Sequence, residues 1–77
     1  SQDFAKAAKL YHQAAEIGSS SAMCNLGKCF YFELGVKENL AEAKLWFMRA
    51  INNGSVEAIR RLGDLYKYRE QNEAKAI

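Results

Sequence analysis

The chain repeats itself. Shifted by thirty-six positions, it superposes Ala5 on Ala41, Ala7 on Ala43, Ala14 on Ala50, Gly18 on Gly54, Ser19 on Ser55, Ala22 on Ala58, Leu26 on Leu62 and Gly27 on Gly63. Similar types coincide at Asp3 and Asn39, Phe4 and Leu40, Leu10 and Trp46, Tyr11 and Phe47, Met23 and Ile59, and Phe30 and Tyr66. A period of this length restricts the fold to one supersecondary unit stacked on copies of itself. After Tyr68 the register slips by three, so that Asn72 and Ala76 take the places of Asn39 and Ala43. The loop there is expected to be shorter than its counterpart.

The unit is helical. Ala22, Leu26 and Phe30, with Met23 and Gly27, recur at i, i+4 and i+8 with their neighbours, and Leu40, Ala43, Phe47, Ala50 and Ile51 form a second such stripe. Asp3, Asn39 and Asn72 each precede a stripe as N-caps do, and Gly18 and Gly54 follow one as stop signals. The spacing predicts helices over 4–17, 20–33, 40–52 and 56–69, then the start of a fifth. No strand pattern competes. Two antiparallel helices per unit, stacked pair on pair, make an all-α solenoid in which each unit contacts only its neighbours. Residues 3–18 read as the second helix of a preceding repeat, 19–54 as a complete repeat, and 55–77 as a further, partly degenerate one.

A glycine in a helix interior costs roughly 1 kcal/mol relative to alanine, so Gly27 requires compensation. At the edge of the buried stripe, its missing side chain lets the partner helix of the pair come close, with Ala43 and Ala50 as the small residues opposite. Gly63 is expected to repeat the device.

Composition excludes several classes. Eleven basic and nine acidic residues are interspersed, and a net charge of +2 without a basic block argues against nucleic-acid binding, which needs Lys and Arg clustered on one face. No apolar run approaches the roughly 20 residues of a membrane span, and no signal peptide is visible. Beginning at Ser1 and closing at Ile77 inside a helical pattern, the chain reads as a piece of something longer, with flanking repeats.

The stretch LGKCFYFELGVKENLAEAKLWFMRAINNG resembles the Sel1-like repeat, a relative of the tetratricopeptide repeat. The matching positions are Ala22, Leu26, Gly27, Phe30, Gly35, Val36, Ala43, Trp46, Phe47, Arg49, Ala50 and Gly54. KAAKLYHQAAEIG is similar to the second half of such a unit, through Lys6, Ala7, Tyr11, Gln13, Ala14, Ala15 and Gly18. The Gly-Val loop separates this pattern from the ordinary tetratricopeptide one. Glu33 stands where the pattern has its first loop glycine and Asn39 where it has Asp, both mild changes, and KYREQNEAKAI lacks the Gly-x-Gly-Val loop altogether. The resemblance implies a non-catalytic scaffold or adaptor that binds a partner protein on the concave face of a repeat array, without cofactor. A regulatory or structural segment of a larger enzyme or membrane-complex subunit is the alternative.

No constellation for catalysis emerges. His12, the only histidine, follows core residue Tyr11 with Glu16 one turn on, and reads as a surface residue without a nucleophile. Cys24 and Cys29 lie five apart, about 140° around a helix axis, so they do not bridge one another. Neither their spacing nor a single distant histidine makes a metal set. Cys24 is expected to be an accessible thiol and Cys29 a protected, small apolar residue. Unpaired thiols favour a reducing cytosol.

The informative surface is the remaining face of the first helix in each pair. Cys24, Lys28 and Tyr31 share an arc opposite Leu26, and their repeat equivalents are Arg60, Asp64 and Lys67; Ser21 pairs with Glu57 in the same way, and Arg61 and Tyr68 flank the set. In tetratricopeptide-like superhelices that arc lines the concave groove. Cys24, Lys28, Tyr31, Arg60, Asp64, Lys67 and Tyr68 are therefore the candidate partner-binding residues, suited to an extended or helical peptide carrying acidic groups.

Overall fold

The structure, a computed structural model, describes residues 3–76. Four helices follow in order: α1 (Phe4–Glu16), α2 (Ser20–Phe32), α3 (Leu40–Asn52) and α4 (Val56–Ala76). Each start is fixed by a short polar side chain that satisfies a free amide of the first turn. Asp3 Oδ1 accepts from Lys6 N at 3.0 Å, Ser19 Oγ from Ala22 N at 3.2 Å, Asn39 Oδ1 from Glu42 N at 3.1 Å and Ser55 Oγ from Ala58 N at 3.2 Å. Gly18 and Gly54 follow α1 and α3, at φ +100° and +95°. The structure is all-helical, and the chain is an α-solenoid with α2 packed on α1 and α3, and α4 on α3 and the flank of α2.

The core is thin and apolar. Alanines at 8, 15, 22, 43, 50 and 58 bring the helices together around Leu26, Phe47 and Leu65, and no polar side chain is buried among the described residues. Trp46, at the edge, meets the His12 ring edge-on at 5.7 Å and carries the Arg49 guanidinium over its own ring at 4.8 Å. His12 is exposed, 3.6 Å from Glu16. Small residues at the crossings let backbones approach, which is where Gly27 belongs.

Gly27 is buried, and what lies nearest to it is Phe47 rather than Ala43 or Ala50. A Cβ added there would stand 2.6 Å from Cδ1 and Cε1 of Phe47. The glycine makes room for a ring. Gly63 does not repeat the device, since nothing lies within 4 Å of its Cβ position. The reason is a second departure: α4 runs unbroken from Val56 to Ala76, so no loop turns a following helix back onto Gly63. Asn72 and Ala76 lie inside α4 rather than at the start of a fifth helix. From Lys67 to Ala76 the sequence is made of Lys, Tyr, Arg, Glu, Gln, Asn and Ala, without glycine or proline to stop it.

Between α2 and α3 the chain does turn, through a strained loop. Glu33 caps α2 in the left-handed region at φ 56°, where the repeat pattern has glycine, and its Oε1 accepts from Glu38 N at 3.4 Å. A left-handed residue with a side chain costs about 1 kcal/mol or more, so this change is not free. Gly35, at φ +77°, lies against the backbone of Phe4 and Ala5 at the start of α1. The loop thereby ties one repeat to the one before it.

Candidate functional site

α2 and α4 are one repeat apart and run parallel, since Lys28 of α2 meets Glu57 at the start of α4, and Tyr31, later in α2, meets Tyr68, later in α4. Glu57 Oε2 accepts from Lys28 Nζ at 3.2 Å and from Arg61 Nη2 at 3.2 Å. The hydrogen bond from Lys28 and the two positive charges hold the Glu57 carboxyl below the usual carboxylate range. With the Glu57 side chain 44 % exposed, water screens the cluster, and it orients the side chains more than it stabilises the fold.

Beyond the ion cluster lies an aromatic one. Tyr31 sits between Phe32, with ring centroids 4.8 Å apart, and Tyr68, at 5.9 Å, both pairs tilted. Burial, then the nearby Asp64 charge, pushes the Tyr31 hydroxyl above its usual pKa, so it stays a neutral donor. Phe32 is 51 % and Tyr68 41 % exposed. Tyr31, Phe32, Arg61 and Asp64 surround an open recess of about 250 Å³ whose floor is the edge of Phe47. Apolar walls with a few polar groups at the rim are what small docking sites are made of.

The candidate residues divide. Lys28, Tyr31, Asp64 and Tyr68 come together at this groove. Cys24 does not belong to its surface: it is buried, 2 % exposed, within the core cluster. Arg60 and Lys67 are exposed but occupy, on α4, the arc that Cys24 and Tyr31 occupy on α2. On α2 that arc faces the next parallel helix, so on α4 it points along the stack, away from α2. Phe32 went unnoticed in the sequence. It lies one turn beyond Lys28, the only signal that could have found it.

Correcting Cys24 changes a chemical expectation. Burial raises the pKa of both thiols, with Glu57 adding to the effect at Cys24, and Cys29 is 3 % exposed. Both should resist alkylation by iodoacetamide in the folded chain and react together in denaturant. Rapid native labelling of Cys24 alone, followed by mass spectrometry, would contradict this burial.

Stacked antiparallel pairs whose first helices share a groove define an α-solenoid repeat protein. The model of the Sel1 repeat matches residues 1–19, 20–55 and 56–77, and the chain belongs to that family. No curated protein and no solved structure matches it. Sel1 repeats generally mediate protein–protein interaction, and proteins built from them are typically non-catalytic. No described helix is long and apolar enough to cross a membrane.

Proposed function

We propose that this chain is a non-catalytic scaffold that binds a partner protein through the groove shared by α2 and α4. The observation that carries the reading is the open recess ringed by Tyr31, Phe32 and Arg61, with exposed Tyr68 beside it. Large rings held by their neighbours present contact area at little entropic cost, and aromatic and Arg residues are enriched where interfaces concentrate their energy. Lys28, Arg61, Glu57 and Asp64 together carry no net charge, so an apolar or aromatic anchor is the main determinant. An acidic residue next to that anchor reaches Arg61, the one cation on the recess wall.

Peptides selected from a random display library with the chain as bait should share such an anchor with an acidic neighbour. Phe32→Ala combined with Tyr68→Ala should weaken their binding at least about tenfold, some 1.4 kcal/mol, by titration calorimetry. Because both rings are half exposed, the pair should lower folding stability by no more than about 1 kcal/mol. Lys6→Glu with Lys9→Glu, on α1, is the control. Equal loss from the control pair would mean non-specific electrostatics, and undiminished binding to the double alanine variant would remove the groove as the site.

A further inference from the structure

The same place between neighbouring helices is filled in one repeat and hollow in the other. On α3 the half-buried Lys44 lays its Nζ over the Tyr66 ring of α4, 5.5 Å from the centroid. A shift of one repeat turns Lys44 into Ala8 on α1 and Tyr66 into Phe30 on α2. Alanine has no stem to lay across the ring. What remains there is a hollow of about 320 Å³, lined in part by Ala8, Lys9, His12, Leu26, Phe30 and Val36.

α1, α2 and the loop between α2 and α3 bound this hollow. That loop is held in place, since Gly35 lies against the backbone of Phe4 and Ala5. Ala8 and Leu26 are buried and Phe30 and Val36 half-buried, so the walls offer aliphatic and aromatic surface. The charged groups stand on the α1 side alone. His12 has Glu16 at 3.6 Å, whereas Lys9 is exposed and makes no ion pair among the described residues. An apolar cavity of this size with one or two polar groups at its edge suits a ligand with an apolar body and a single polar head.

We propose that this hollow binds a medium-chain aliphatic monocarboxylate. The chain of the ligand runs over the Phe30 ring, in the place that the Lys44 stem occupies one repeat on. Its carboxylate accepts a charge-assisted hydrogen bond from the Lys9 ammonium. An amine of the same length meets Lys9 as a like charge and is rejected. The site shares no lining residue with the recess between α2 and α4.

Titration of the whole chain with sodium octanoate, followed by calorimetry and by the methyl resonances of Leu26 and Val36, tests it. Saturation at one equivalent is expected, with the methyl shifts tracking the heat. Lys9→Gln changes an exposed side chain, so it should keep the melting temperature yet weaken octanoate about threefold or more. Octylamine should bind the wild-type chain more weakly than octanoate by a similar factor. Ala8→Lys rebuilds the arrangement of Lys44 and should abolish binding, with circular dichroism checking that the helices remain. Should that variant unfold, Lys9→Gln decides alone, and an unchanged affinity overturns the proposal. So does heat that never saturates, saturation that survives in a folded Ala8→Lys variant, or octylamine binding as tightly as octanoate.

Discussion

Replacing Gly35 with alanine is expected to cost about 3 kcal/mol or more, the largest loss from any single methyl group in this chain. Two effects add. At φ +77° an L side chain is strained by about 1–2 kcal/mol, and the new Cβ would fall on the Phe4 carbonyl and 2.5 Å from Ala5 N. Those are backbone atoms at the first turn of α1, which cannot swing aside as a side chain can. Either the loop lifts off α1 or α1 loses its start. Gly54→Ala separates the effects, because Gly54 has φ +95° and no atom within 4 Å of its Cβ position, so only the strain remains. Urea unfolding monitored by circular dichroism should place Gly35→Ala well below Gly54→Ala. Equal midpoints would mean that the tie between loop and α1 contributes nothing.

Alanine at the two helical glycines should act with opposite sign. At Gly27 the added methyl meets the Phe47 ring at 2.6 Å, and the ring, 0 % exposed, has nowhere to go without disturbing its neighbours. Overpacking of about 1–3 kcal/mol outweighs the gain of about 1 kcal/mol in helix propensity, and Gly27→Leu should be worse. At Gly63 the space is open, so only the propensity remains and Gly63→Ala should stabilise by up to about 1 kcal/mol. Thermal melts at low micromolar concentration, where intermolecular contacts are minimised, give the comparison. A stabilised Gly27→Ala would refute the role assigned to Phe47.

The periodicity of apolar residues records which face of a helix is covered, and this made the order of helices, two of the N-caps and the stacking readable from the sequence. It does not record what covers the face. Gly27 was legible as a close approach, yet a fully buried aromatic and two alanines are equally consistent with a missing side chain opposite. Cys24 looked exposed because its arc is the polar one on α2. Its burial comes from α4 lying alongside, a contact between first helices of successive repeats that leaves no mark in local pattern. The shared groove was visible through Lys28, Tyr31 and Tyr68, whereas Arg60 and Lys67 were turned away from α2 by the same unseen contact. Continuation of α4 was hidden because Asn72 imitates a cap, and only the lack of a glycine before it argued otherwise.

α2 alone is in contact with all three other helices. In a stack where each element otherwise touches only its neighbours, that makes it the hinge of cooperativity. Loss of α1 leaves α2, α3 and α4 in mutual contact, whereas loss of α2 leaves α1 with no helix to rest on and only the α3–α4 contact in place. Of the described helices, α1 rests on α2 alone and is therefore the readiest to detach, without disturbing the groove.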